Sequence, residues 1–156
     1  MLRVLITGMS GTGKSTVLEK LAELGHRVVD TDSDEWCRWE TDEDGESDWV
    51  WREDKMNELL KGHTEGKLFV SGCKTNQVDF YPLFEHVVLL SAPPEVMLER
   101  IANRTNNPYG KTEEERQSIL DNTAFVEPLL RRSATVEIDT SAPLAEVVRR
   151  IDELVA

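Results

Sequence analysis

Between Thr7 and Thr16 the chain reads Gly8-Met9-Ser10-Gly11-Thr12-Gly13-Lys14-Ser15, three glycines closing on a lysine and a hydroxyl. The spacing is GxxxxGK[ST]. Glycine lets the backbone turn and bring its N–H groups against an anion with no Cβ in the way. Amides at the start of a helix then face that anion. Lys14 adds a point charge for the β/γ-phosphates, the Ser15 hydroxyl suits Mg²⁺, and Thr16 is placed to reach the α-phosphate. Ser10, Gly11, Thr12, Gly13, Lys14, Ser15 and Thr16 thus form a candidate site for a nucleoside triphosphate with its metal. The motif does not name the group that receives the phosphoryl.

Other residues bear on that question. Asp30-Thr31-Asp32 falls at the end of a short branched-residue run. One carboxylate there can hold a Mg²⁺ water and a second can take a proton from a substrate hydroxyl. No NKxD-like base-reading motif is present, which points away from a switch GTPase. Arg100 and Arg104 stand four apart and share a helix face. An arginine delivered to the γ-phosphate stabilises charge as it spreads during transfer.

The elements around these residues alternate. Arg3–Thr7, His26–Asp30, Lys67–Val70, His86–Leu90 and Thr135–Asp139 read as five strands. Ser15–Leu24, Asp48–Lys61, Pro94–Asn103, Lys111–Arg132 and Pro143–Val155 read as helices. Thr112 with Glu115 has capping-box spacing. Such alternation implies a parallel sheet with helices on both faces. Ligands in such sheets sit beyond the carboxyl ends of the strands, where the residues named above lie.

The opening GMSGTGKSTVLEKLAELGHRVVDTDSD resembles shikimate kinases, which belong with the nucleoside monophosphate kinases. The resemblance implies an α/β three-layer P-loop NTPase whose five-stranded parallel sheet has the order 2-3-1-4-5. It implies one kinase domain over residues 1–156, a substrate region about 31–62 and a short lid about 104–112. It gives Asp30 to the Mg²⁺ shell and makes Asp32 the acceptor-binding residue and base. Trp51-Arg52 after Gly45-Glu46 resembles the family's aromatic-Arg pair, and Val70-Ser71-Gly72-Cys73 its substrate turn, so Arg52 and Gly72 join the acceptor set. Glu127-Pro128-Leu129-Leu130 resembles the closing helix, with Val126 where the family has an arginine for the acceptor's carboxylate. Losing such a charged hydrogen bond costs about 1.5–3 kcal/mol. Within the wider group, Arg100 would stack on adenine and Arg104 would reach the transferring phosphoryl. The expected activity is transfer of the γ-phosphoryl of ATP, with Mg²⁺, to a small-molecule acceptor, carried by Lys14, Asp32 and Arg104.

Gly72-Cys73, Phe80-Tyr81-Pro82 and Leu98–Arg104 resemble the adenylate kinase 6 group. That resemblance implies an alternative, an ATPase that remodels a protein partner. The group's third strand carries an Asp and a His, where this chain reads Phe69-Val70-Ser71.

Composition narrows the partners. A formal charge of −12 excludes the broad basic surface that nucleic acids require. Twelve acids face two arginines from Asp30 to Asp54, either as a solvated face or as a region suited to a neutral or cationic substrate. Trp36, Trp39, Trp49 and Trp51 cluster in the same stretch, as local packing or as an aromatic platform. Cys37 and Cys73 form no metal or disulfide motif. No apolar run approaches the roughly 18 residues of a membrane span. The N-terminal run Met1–Ile6 is too short for a signal peptide. A cytoplasmic monomer or homodimer, without nucleic-acid or membrane partners, is expected.

Overall fold

The computed structural model describes residues 1–104 and 109–155. In chain order the elements are β1 (Leu2–Thr7), α1 (Lys14–Glu23), β2 (Arg27–Asp30), β3 (Cys37–Thr41), β4 (Ser47–Trp51), α2 (Glu53–Gly62) and β5 (Lys67–Ser71). A 3₁₀ segment (Thr75–Leu83) follows, then β6 (His86–Ser91), α3 (Pro94–Asn103), α4 (Glu113–Ser133), β7 (Val136–Asp139) and α5 (Leu144–Asp152).

Five strands pair in the order β2-β5-β1-β6-β7, every pairing parallel. Counted within this sheet alone, the order is 2-3-1-4-5, as the resemblance to shikimate kinases implies. β1 is almost wholly buried, and its side chains alternate between two cores. Val4 and Ile6 join Val17, Leu21, Val147 and Ile151 of α1 and α5. Leu5 points the other way, onto Met56 and Leu60 of α2. β5 divides likewise, Phe69 to the first core and Leu68 and Val70 to the second. A strand covered on both faces is apolar where it is buried, which explains the runs Val4-Leu5-Ile6 and Leu68-Phe69-Val70, while Arg3, only partly buried, pairs with Glu85 at 2.9 Å. Thr112 caps α4 as its spacing foretells, accepting from the Glu115 amide at 3.1 Å.

The structure corrects one assignment. Asp48–Lys61 is not a continuous helix: Ser47–Trp51 is a strand, paired antiparallel with Cys37–Thr41, and α2 begins at Glu53. The turn between them is held by Asp42, whose carboxylate accepts from the amides of Asp44 and Glu46, each at 2.9 Å. Gly45 there takes φ 81°, a conformation that disfavours any side chain. Trp39 and Trp49 face each other across the hairpin, ring centroids 5.2 Å apart. Cross-strand aromatic pairs favour the sheet over the helix that the Trp51–Leu60 spacing suggests.

A chain of buried hydrogen bonds roots this hairpin on the main sheet. The Trp51 indole N–H donates to the Thr31 hydroxyl at 2.8 Å, and that hydroxyl donates to the Ser71 carbonyl at 2.7 Å. Trp51 and Thr31 are fully buried. Asn76 clamps the same residue, its side chain bonding both the amide and the carbonyl of Trp51. Thr31→Val removes both hydroxyl bonds and leaves an indole N–H unpaired in the core. The variant is expected to lose about 1–3 kcal/mol in urea denaturation, while Thr31→Ser stays close to the parent.

Candidate nucleotide and acceptor cleft

Beyond the carboxyl ends of β1, β2, β5 and β7 lies a cleft of about 860 Å³. Gly8 through Val17 form its floor, Asp30, Asp32 and Ser71 to Lys74 one wall, and Arg100, Arg104, Thr140 and Ala142 the other. β1 delivers the loop, and parallel pairing to β5 brings Asp30 of β2 level with Ser71 of β5.

The loop's glycines have local reasons. A Cβ at Gly8 would stand 2.5 Å from the Leu90 carbonyl oxygen, so no other residue fits where the loop leaves the sheet. Gly13 caps α1 at φ 95°. The first amides of α1 have no carbonyl a turn earlier and open into the cleft. Thr12 is buried and braces the loop, its hydroxyl donating to the Met9 carbonyl at 2.7 Å. The Lys14 ammonium donates to the carbonyls of Gly8 (2.5 Å) and Met9 (3.0 Å). Burial pushes Lys14 below the ordinary lysine range; Cys73, Asp30 and Asp32 pull the other way, and Lys74 adds to the lowering. A desolvated cation between carbonyl oxygens is a place where polyanion binding recovers charge complementarity.

The two aspartates sit where the motif puts them, on one wall. Asp30 accepts from the Asp32 amide at 3.0 Å, which fixes the turn between them. Asp32 is 72% exposed and pairs with Lys74 at 3.1 Å. Gly72 also lines the wall, but its lack of a side chain has a packing reason. A Cβ there would collide with the Thr31 hydroxyl and approach the Trp51 ring to 3.1 Å.

On the opposite wall, the Arg100 guanidinium is tied down. It donates to the Thr140 hydroxyl (2.8 Å), the Thr140 carbonyl (2.6 Å) and the Gly11 carbonyl (3.2 Å). It therefore clasps the phosphate loop to the end of β7. Arg104 lines the cleft, donating to the Tyr109 carbonyl at 2.7 Å, and Lys111 donates to the Arg104 carbonyl. The central lid positions 105–108 lie outside the described residues.

Arg52 is not brought into this cleft. It precedes α2, and its guanidinium donates to the Asp34 carbonyl at 3.0 Å. The tryptophans do not line the cleft either. Trp51 is core, Trp36 and Trp49 pack against that core, and Trp39 is 67% exposed on the hairpin. Val136-Glu137-Ile138-Asp139-Thr140 resembles the family's nucleotide-side strand, and Thr140 does line the cleft, whereas Lys74 carries no signal in the motifs themselves. Lys74 follows the recognised Ser71-Gly72-Cys73 turn directly, and that adjacency is the signal that could have found it.

A parallel five-stranded sheet with this loop after β1 and carboxylates after β2 defines a P-loop kinase class. Comparison with known proteins agrees. Residues 4–121 match the family model described as AAA domain. A shikimate kinase of Halorhodospira halophila is 30% identical, the match covering 97% of this chain and 92% of that one. The chain belongs to the P-loop kinases of the shikimate kinase and nucleoside monophosphate kinase type. The fold also matches shikimate kinase from Acinetobacter baumannii in complex with shikimate, with TM-score 0.68 and 23% identity over 98% of this chain and 92% of that chain. Shikimate kinase from Bacteroides thetaiotaomicron gives TM-score 0.69 and 20% identity over 97% of both chains. Among the described residues no helix is long and apolar enough to cross a membrane.

The shift on Lys14 has a pH consequence. Its folded value lies below the unfolded one, so between the two the unfolded chain binds the extra proton, and stability rises with pH toward 10.5. Lys14→Met is expected to remove that rise. Urea midpoints of the nucleotide-free parent and variant, compared across that alkaline range, measure it.

Proposed function

We propose that this protein transfers the γ-phosphoryl of ATP to a hydroxyl of a small molecule. The observation that carries the reading is the convergence of Lys14, the α1 amides and two carboxylates on one cleft. The residues present fit Mg²⁺ and ATP. Lys14 and the amides from Ser10 to Thr16 offer donors for a triphosphate. Ser15 and Asp30 would hold the metal. Among the described residues no three His, Cys, Asp or Glu cluster as a protein-only metal site. That suits Mg²⁺, which prefers phosphates and water to a full protein cage. When bound, the metal neutralises phosphate charge.

The residues then divide the work. Lys14 holds the β/γ-phosphates. Arg104 stands on the wall where charge grows as the phosphoryl leaves. Arg100 keeps the loop and the β7 end together along the nucleotide side. Asp32 accepts the acceptor's hydroxyl proton, and Gly72 allows the acceptor to come close. The lid about 104–112 would exclude water from the transfer. The Acinetobacter neighbour is in complex with shikimate, so shikimate is the first acceptor to try here. Val126 and the diversion of Arg52 to Asp34 argue for including neutral polyols beside it.

ADP release measured over a panel of hydroxylated metabolites tests the reading. A productive acceptor is expected to raise release well above the water background. Asp32→Asn should lower that turnover by about 10²–10⁴-fold with ATP affinity little changed. Lys14→Met should abolish both. Release that no acceptor raises would sink the proposal and favour the hydrolytic alternative.

A further inference from the structure

A groove of about 200 Å³ runs between α3 and α4, and no residue that lines it lines the cleft. Its walls are mostly apolar: Pro94 and Met97 come from α3, Ile119, Leu120 and Pro128 from α4. Glu127 is the exception. Its side chain is 15% exposed, and among the described residues its Oε2 is a buried side-chain oxygen with no hydrogen-bond partner. Leaving a carboxylate oxygen in that state is costly. The other oxygen accepts from Arg131 at 3.0 Å. That guanidinium is shared, because it also donates to both oxygens of Glu137, at 2.7 and 3.2 Å. Two carboxylates thus divide one cation, and one negative charge is left over beside the groove. Pro128 adds to the deficit of donors. It has no N–H for the carbonyl of Ala124 one turn back, and Ala124 also lines the groove. An incidental gap between helices would have its buried polar atoms paired.

We propose that this groove binds a small primary alkylammonium, its apolar body against Met97 and Ile119 and its charged head on Glu127. The inference goes beyond phosphoryl transfer and does not depend on it. A glutamate's last torsion is broad, so a small turn of the carboxylate presents Oε2 to the groove. An ammonium has three donors and no acceptor, which matches a site that only accepts. Hydrogen bonds between ionised groups are roughly twice as strong as those between neutral ones, which favours the amine over an alcohol of the same shape. The volume sets the body. A cavity of ~150 Å³ admits benzene, and drug-sized ligands need upward of ~300 Å³. The occupant is therefore a fragment of about six non-hydrogen atoms.

The test is an NMR titration of the whole protein with isopentylamine and with isopentanol, which share a skeleton. It is run near neutral pH, where an alkylamine is protonated, and at about 0.15 M salt, which screens the acidic surface. The amine is expected to bind at least about tenfold more tightly than the alcohol, with shifts centred on the Met97 and Ile119 methyls. Glu127→Gln should bring the amine down to the alcohol's affinity. Ala124→Leu, at an exposed position of the wall, should fill the groove and abolish binding of both probes with Glu127 intact. Melting midpoints verify that the variants are folded, and Ala124→Leu decides alone if Glu127→Gln is not. Equal affinity for the two probes, no binding of either, or amine shifts spread over the acidic surface overturns the proposal. So does amine affinity that survives in the folded variants. Tighter binding of Nα-acetyl-lysine methylamide than of isopentylamine also overturns it, by making the groove a socket for a lysine of another protein.

Discussion

The first amides of α1 have no carbonyl one turn earlier to bond, and the rest of the cleft is arranged around that fact. Left to themselves they would take water. Here they open beside a desolvated lysine, on a loop whose backbone approaches β6 so closely that Gly8 tolerates no Cβ. A polyanion relieves both strains on the site at once: it accepts from the amides and returns a counter-charge to Lys14. The burial of Thr12 and the clasp of Arg100 on Gly11 and Thr140 keep the loop in this shape. Donors held in advance lose less orientational freedom when the anion arrives.

The second wall depends on a different device. Thr31 stands between two aspartates and turns inward, so its neighbours turn outward. Its hydroxyl bridges the Trp51 indole and the Ser71 carbonyl, joining the end of β2, the end of β5 and the hairpin in one buried chain. Cys37 adds a bond to the Thr31 carbonyl at 3.0 Å. The residue with no side chain, Gly72, is what lets Trp51 and Thr31 meet. Packing inside the protein and access from the cleft therefore constrain the same short turn. The aspartates are exposed because the threonine is not.

Much of this was legible in the residues. The phosphate loop and the five parallel strands follow from motif spacing and from apolar runs long enough for strands and too short for helices, and the strand order from the resemblance to shikimate kinases. The capping box at Thr112 was legible too, because capping is decided within four residues. The hairpin was not. Trp51, Met56, Leu59 and Leu60 carry a helical period, and a period cannot tell that its first member belongs to a strand. The competing signals were Asp42 to Gly45 as a turn and Trp39 opposite Trp49, a contact that exists only once the turn has closed.

By itself the sequence determined where the phosphate-loop motif lies and which carboxylates end the next strand, because those properties depend on a few neighbouring residues. The tertiary structure alone decided which side chains share the cleft. It brought in Lys74, forty-two positions from Asp32, and drew Arg52 away to the Asp34 carbonyl. It sent Trp51 into the core instead of toward a ligand. Each of these outcomes turns on a contact between residues far apart in the chain, and local spacing carries no information about which distant groups compete for the same partner.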